Sequence, residues 1–414
     1  MKRYNNLFNK ICTYDNFNKA LDNAFKNKKH YTEVKRIKRS RIRYILKLYK
    51  TVKNKQYKVG DYTIYDLFTG GKWREIYRLP MKDRIVQHAI MMYIEPLFRA
   101  NFIPTTFQSI KGRGTHKCLN KVKQALKDEI GTKYCLKLDI RKCYPSLDQN
   151  ILKAKIAKMF KDKNLVELLF VIIDSCEKGV PIGNYTSQYF NNYYFSELDH
   201  YCKEVLQIKY YFRYCDDIIV FGETTEKLRE LHIKIDNYIN ELNVKLKDNW
   251  QIFDVTSNGV NFVGYILFRD HIRLRKTTKL KFIEACKSMN FNNLSQRDIN
   301  VLGSYWGILS HADCRNLWFK YTGVKKFEDL HIKVHERMFV REIIGKEITI
   351  TNINSFTRRG EQRIKIVADI NGYKDVYITT SAEMLIEAAR QLGKDDFPFT
   401  TKIIETDNGY YKFI

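Results

Sequence analysis

The chain has 414 residues, 44% of them apolar and 14% aromatic, with 73 Lys and Arg against 46 Asp and Glu for a net charge of +27. Such a composition excludes a disordered chain and has room for roughly two to four domains. The excess positive charge predicts a polyanionic partner: nucleic acid rather than membrane, because no apolar stretch approaches the roughly 20 residues needed to span a bilayer.

Met1-Lys2-Arg3-Tyr4 leads into no apolar signal core, so a cytoplasmic protein is expected. Nine cysteines without a Cys-x-x-Cys pair predict reduced thiols and no structural zinc. The charge is uneven. Residues 1–60 hold 18 Lys and Arg against 3 Asp and Glu, whereas residues 341–414 hold 11 of each. A polyanion should therefore be gripped upstream of the tail.

Taken in order, residues 1–60 read as basic helices. Ile37, Tyr44, Ile45 and Leu48 recur near helical spacing and leave a cationic outer face, read here as a surface for nucleic-acid backbone. Trp73 to Ile90 reads as a strand, a Pro80 turn and a helix that turns Ile85, Ala89 and Tyr93 inward. Asp83 and Arg84 at its start suit the helix dipole and a salt bridge. Phe107 to Thr115 is a basic, Gly-bearing loop able to bring N–H groups and cations near phosphates. Lys133 to Ile140 is a strand that ends on the acid Asp139, with the aromatic Tyr144 five residues on and a helix from about Gln149. Gly179 to Gln188 is a Gly/Pro loop feeding a helix, small enough for a sugar or base pair to approach its backbone.

Tyr210 to Gly222 sets two apolar, β-prone runs around Cys215-Asp216-Asp217, a β-hairpin with the acids at its tip. Isolated Asp pairs are commonly solvated turn residues. Between two sticky strands, however, adjacent charges are costly to bury unless a cation neutralises them. Hard oxygen ligands suit Mg²⁺, and paired magnesium ions drive nucleotidyl transfer. From Thr277 to about Val340 helical spacing returns through Leu280, Phe282, Ile283, Leu302, Trp306, Leu309 and Trp318, with both tryptophans expected in the core. Residues 341–414 then alternate like strands around one helix, Ser381 to Leu392, with Ser381 as its N-cap. A small β-barrel-like module is expected there, either an OB-type reader of single strands or a surface for protein or RNA docking.

The order LP-x-x-DR-IV, basic Gly loop, L-D-I-x-x-x-Y, PIGN-x-TSQ and Y-C-DD, followed by G-V-N-F-V-G-Y at Gly259–Tyr265, resembles the fingers and palm of a reverse transcriptase. It covers roughly residues 60–275. PIGN-x-TSQ and G-V-x-F-x-G-Y are most similar to the bacterial non-retroviral enzymes. Among these are the defence-associated reverse transcriptases that copy a neighbouring non-coding RNA, and those of diversity-generating retroelements. The resemblance implies an α+β right-hand polymerase. Its parts would be a basic helical segment (1–60), fingers and palm (61–275), a helical thumb (276–340) and a β-rich C-terminal module (341–414).

It also implies two Mg²⁺ ions held by Asp139, the Ile140 carbonyl, Asp216 and Asp217. Tyr144 would be a steric gate against the ribose 2′-OH, Pro181, Gly183 and Gln188 would line the nascent base pair, and Val263, Gly264 and Tyr265 would brace the primer. Two positions depart from the family. Ile110 stands where relatives place an Arg, leaving Lys111 or Arg113 for the triphosphate. Trp250 stands where some carry a Lys, leaving Lys245 or Lys247 as proton donor to pyrophosphate. The expected partners are a template non-coding RNA, the cDNA product and deoxynucleotide triphosphates; a homo-oligomer is a further expectation, and no membrane is. An RNA-dependent RNA polymerase fits less well, since that class keeps an acid at the Tyr144 position and Gly before its Asp pair. A non-enzymatic RNA scaffold would have no reason to keep all three acids. With no maturase-like or endonuclease domain in the sequence, an intron enzyme is not expected; a diversity-generating retroelement enzyme is the runner-up.

Overall fold

Four helices open the chain: α1 (Phe8–Ile11), α2 (Tyr14–Phe25), α3 (Thr32–Arg39) and α4 (Arg41–Lys53). They belong to a computed structural model that describes residues 3–28, 30–69, 72–291, 294–327, 337–338, 343–358, 361–370, 373–380, 382–392, 396–406 and 410–414. The expected inward positions Ile37, Ile45 and Leu48 are buried, and Tyr44 is half-buried. Lys35, Arg36, Lys38, Arg39, Arg43, Lys47, Lys50 and Lys53 are exposed. These helices share one core with the rest of Met1–Arg275, the first of the chain's two units. Thr13 caps α2 by accepting from Asn16 N–H at 3.3 Å. Phe17, Leu21 and Phe25 of α2 are buried. At about 1.5–3 kcal/mol for each such side chain, their loss would rival the ~5–15 kcal/mol that holds a whole domain. The basic segment therefore cannot be cut away to test its charge; surface substitutions on α3 and α4 are needed.

A hairpin follows, β1 (Thr63–Thr69) and β2 (Lys72–Arg78), with Phe68 opposite Trp73. Pro80 then opens α5 (Met81–Ala100). Asp83 makes a different contact from the expected salt bridge. It is fully buried and accepts from the Tyr57 hydroxyl (2.7 Å) and Gly60 N–H (3.2 Å).

The sheet that carries the acids is assembled from β3 (Thr106–Phe107), β4 (Tyr134–Asp139), β5 (Tyr211–Tyr214), β6 (Asp217–Gly222) and β7 (Gln251–Asp254), in the order β3-β5-β6-β4-β7. Between these strands lie α6 (Thr115–Ala125), α7 (Gln149–Met159), α8 (Lys163–Ile173), α9 (Tyr185–Tyr194), α10 (Ser196–His200), a π-helical turn over Tyr201–Val205, and α11 (Thr225–Glu241). Side chains alternate across a sheet. Leu136, Leu138, Tyr211, Ile218 and Val220 enter the main core with residues of α9 and α11, whereas Asp139 and Asp217 have the opposite parity. The acids therefore lie on the face away from that helical layer. Asp162 caps α8 through Leu165 N–H (3.2 Å) and also accepts from Leu7 and Phe8 N–H (2.8 Å each), which stitches the N-terminus to the core.

After α12 (Val255–Asn258), strands β8 (Val260–Phe262), β9 (Tyr265–Leu267) and β10 (Ile272–Leu274) form a small antiparallel sheet. Arg269 anchors it by donating to the carbonyls of Leu126 (2.8 Å) and Thr132 (3.0 Å).

The second unit, Lys276–Ile414, begins with α13 (Lys276–Lys287), α14 (Gln296–Leu309) and α15 (Arg315–Thr322). Phe282 and Trp318 are buried against each other, and Trp306 packs on Trp318 at 4.8 Å. Leu280, expected inward, is 52% exposed. A six-stranded sheet follows: β11 (Arg337–Met338), β12 (Glu347–Arg358), β13 (Glu361–Ile370), β14 (Tyr373–Thr380), β15 (Phe399–Glu405) and β16 (Tyr411–Phe413). Its order is β11-β14-β13-β12-β15-β16. An OB barrel closes on itself; among the described residues this sheet stays open. Its isoleucines pack against Leu385 and Ile386 of α16 (Glu383–Arg390) instead. Ser381, the expected N-cap, lies outside the described residues, and Ala382 holds that position.

Candidate active site

Asp216 belongs to a two-residue hairpin loop, and Asp217 is the first residue of β6 that leaves it. Tyr214 pairs with Asp217 across β5 and β6, so Cys215 and Asp216 alone make the turn. Its first loop residue needs a positive φ, usually supplied by Gly. Cys215 adopts φ +58° there, at a cost of about 1–2 kcal/mol for an L-residue. The Asp216 carbonyl accepts from Ile140 N–H at 3.0 Å, which pins the turn to the end of β4.

Asp139 is the last residue of β4 and lies directly opposite Asp217 in the register. Directly opposed like charges are unfavourable. Burial, then the neighbouring Asp216 and Asp139 charges, push the Asp217 carboxyl up from its ordinary 3.8, opposed by Lys137 and Arg275. Asp139 has another partner: its carboxylate pairs with the Lys247 ammonium, and its carbonyl accepts from Lys247 N–H at 2.8 Å. Among the described residues no three Asp, Glu, His or Cys side chains are gathered closely enough to hold a metal ion. The donor set nevertheless fits one: hard carboxylate oxygens, with Asp217 bearing negative charge that its surroundings leave undercompensated and Asp139 already drawing a cation.

Asp216, Ile140, Lys142, Tyr144, Pro181 and Lys247 line one cleft of about 1290 Å³, together with Ile64, Trp73, Arg74 and Tyr77 of the β1–β2 hairpin. Tyr144 is half-buried beside the Cys215 thiol at 3.9 Å, and burial with the nearby thiols pushes its hydroxyl well up, so the ring is neutral at any working pH. The Gly/Pro loop presses on both neighbours. At Gly179 (φ +62°) a Cβ would fall 2.3 Å from the Tyr144 carbonyl oxygen, and at Gly183 (φ +126°) 2.4 Å from that of Tyr77. Any side chain at either position would push the loop out of the cleft.

The other expected residues are spread more widely. Gln188 is exposed on α9. Ile110 is buried in the core, so it presents nothing to a phosphate. Lys111 is exposed, whereas Arg113 donates to the Ile103 carbonyl at 2.7 Å and the Phe102 carbonyl at 3.3 Å. Val263 and Gly264 form the β8–β9 turn, both with positive φ (+42° and +94°). Such a φ is a genuine outlier for a β-branched residue. Tyr265 is buried below them. Lys245 donates nothing to the acids but accepts from Arg141 N–H at 2.9 Å through its carbonyl.

The family profile described as reverse transcriptase (RNA-dependent DNA polymerase) matches residues 52–267, more than half of the chain. This chain belongs to the reverse transcriptase family. Residues 334–414 match a domain of unknown function (DUF8468). Among curated relatives, Protein YkfC of Escherichia coli is 24% identical over 153 residues, 34% of this chain and 40% of that protein. The COX1/OXI3 intron 2 protein of Saccharomyces cerevisiae is 20% identical over 376 residues, 68% of this chain and 43% of that protein. The chain thus spans about two fifths of the length of either relative. Telomerase from Candida albicans, solved with a telomeric RNA fragment, overlays 66% of this chain and 58% of its own at a TM-score of 0.42 and 12% identity.

Two cations of the cleft were not anticipated from sequence. Arg74 and Lys142 bring cations into the cleft, and Lys142 holds φ +47° between Asp139 and Tyr144. The Asp217 shift gives a stability prediction. A folded-state carboxyl held above its ordinary value favours the proton, so at neutral pH its charge opposes folding. Asp217→Asn should raise the unfolding midpoint at pH 7 by the equivalent of about 0.2–1 kcal/mol. The gain should fade as pH drops through the raised value and vanish below 3.8, where both states are protonated. Thermal melts across that range, without divalent cations, check the sign.

Proposed function

We propose that the protein is an RNA-directed DNA polymerase that copies a partner non-coding RNA into cDNA in antiphage defence. The observation that carries the polymerase reading is that Asp139 lies directly opposite Asp217 in the sheet register, beside the Asp216 turn, while Asp216 and the Tyr144 ring line one cleft. Asp139, the Ile140 carbonyl and Asp216 would hold two Mg²⁺ ions, with Asp217 assisting. Bound there, the ions would supply the charge that eases deprotonation of a primer 3′-OH and neutralises the departing pyrophosphate.

The chain's own residues account for the rest. Tyr144 occupies the space beside a deoxyribose, and Pro181 with Gly183 forms a wall against the nascent base pair. Gln188, exposed on the helix that follows, would reach that pair. Lys111, rather than the internally committed Arg113, is free to meet the triphosphate, with Arg74 as a second cation. The Val263-Gly264 turn and the buried Tyr265 beneath it would brace the primer. Lys247, already on Asp139, is better placed than Lys245 to donate a proton to pyrophosphate.

The exposed cations of α3 and α4 would grip template RNA phosphates. Neutralising Lys35, Lys38, Arg39 and Arg43 to Ala should flatten the salt dependence of RNA binding by about 0.7 log units per log salt for each phosphate left without its cation. An unchanged slope in binding isotherms would place the grip elsewhere.

The defence role and the non-coding RNA partner rest on the PIGN-x-TSQ and G-V-x-F-x-G-Y segments. The test is to sequence the RNA that co-purifies with the protein and the cDNA made from it, and to score phage plating with and without Asp216. One recurrent non-coding template and lost protection in the variant support the proposal. cDNA that maps to a protein-coding repeat would point to a diversity-generating retroelement instead.

A further inference from the structure

Arg213 sits in β5, two residues before the Cys215–Asp216 turn, with its side chain completely buried; so is Asp199 on α10. They meet fork to fork, Nε to Oδ1 at 2.7 Å and Nη2 to Oδ2 at 2.6 Å. The Asp199 carboxylate is completed by the hydroxyls of Tyr211 and Thr106, each at 2.7 Å. Arg213 then turns its remaining donors on the site. Nη1 donates to the Cys215 carbonyl at 3.1 Å and to Asn192 Oδ1 at 3.2 Å, and Nη2 to the Asn192 carbonyl at 3.3 Å. Asn192 Nδ2 passes the link to the carbonyl of Gln108 at 2.9 Å, and Gln108 lines the cleft at the start of the basic Gly loop.

Stability alone does not explain this arrangement, because a buried ion pair is often matched or bettered by apolar residues of similar volume. What the fork supplies is direction. Cys215 is held at φ +58°, a conformation that relaxes unless its surroundings enforce it. Its carbonyl belongs to the peptide that precedes Asp216, and the peptide that follows is held by Ile140 N–H. Both planes flanking Asp216 are therefore fixed, one from β4 and the other by Arg213. A lysine could keep the charge but could not fork to Asp199 and reach the Cys215 carbonyl together.

We propose that the buried Arg213–Asp199 pair is a positioning device that sets the direction of the Asp216 carboxylate and couples that turn to the Gly loop through Asn192. The inference rests on Asp216 being a metal ligand. It is tested in the full chain with Arg213→Lys, the apolar double variant Arg213→Met with Asp199→Leu, and Asp216→Ala. Mn²⁺ affinity is read from the paramagnetic resonance of the free ion, alongside unfolding midpoints and the kcat and KM of primer extension.

The double variant should melt near the wild type yet bind Mn²⁺ about tenfold more weakly. Its kcat should fall by a similar factor while the KM for RNA template stays unchanged, and Arg213→Lys should behave alike. Wild-type Mn²⁺ affinity and kcat in a folded double variant would reduce the pair to a structural one. If the double variant does not fold, the same wild-type values in Arg213→Lys overturn the proposal, and weakened ones support it. Asp216→Ala with undiminished Mn²⁺ binding would instead sink the metal assignment beneath it.

Discussion

Asp216→Ala combined with Asp217→Ala is expected to abolish cDNA synthesis, a fall of at least about a thousandfold, or ~4 kcal/mol of transition-state stabilisation. The fold should survive. Asp217 lies opposite Asp139 with its carboxyl pushed up, so removing the pair relieves repulsion. The Cys215 carbonyl and the Asp216 carbonyl keep their hydrogen-bond partners, since neither bond uses the deleted carboxylates. RNA binding should also persist, because the cations of α3 and α4 lie on other elements. The readouts are primer extension, an unfolding curve and an RNA-binding isotherm on one preparation. Extension within tenfold of wild type would show that the carboxylates hold no essential ion.

Tyr144→Ala should admit ribonucleotides. The ring lines the cleft, its backbone is locked by Val180 N–H on its carbonyl at 3.0 Å, and its hydroxyl stays neutral. It can exclude a 2′-OH only by shape, so truncation should act on sugar choice and little on base choice. The preference for deoxynucleotides should fall at least about tenfold, ~1.4 kcal/mol, measured as the ratio of kcat/KM for matched ribo- and deoxynucleotides. Tyr144→Phe should keep the wild-type preference, since the edge of the ring remains. An unchanged ratio in Tyr144→Ala would assign the gate to another cleft residue.

The elements that carry the site were legible because each is a local pattern. Apolar runs around Cys215-Asp216-Asp217 gave the hairpin, and the strand ending at Asp139 and the helix from Gln149 follow the same short-range rules. What sequence reading missed depends on residues far apart in the chain. Lys247 meets Asp139 across 108 residues, and Asp162 accepts from Phe8 N–H across 154. Ile110 looked like a vacancy in a basic loop, whereas its side chain is an anchor in the core. Arg213 did leave a signal: an arginine inside Tyr-Tyr-Phe-Arg-Tyr-Cys must be buried with a partner, though nothing local names Asp199. The tail misled for a related reason. Alternation reveals strands but not whether a sheet closes, and here Leu385 and Ile386 of α16 pack on the sheet's isoleucines.

RNA-directed DNA synthesis is tested most simply by extension of a DNA primer on an RNA template by the wild-type protein with Mg²⁺ and deoxynucleotides, followed to the template's end. The product should be DNA of full template length, dependent on Mg²⁺ and absent in Asp216→Ala. Tight RNA binding with no polymer formed, under any divalent cation or primer supplied, would contradict it and leave an RNA-binding scaffold on a polymerase fold.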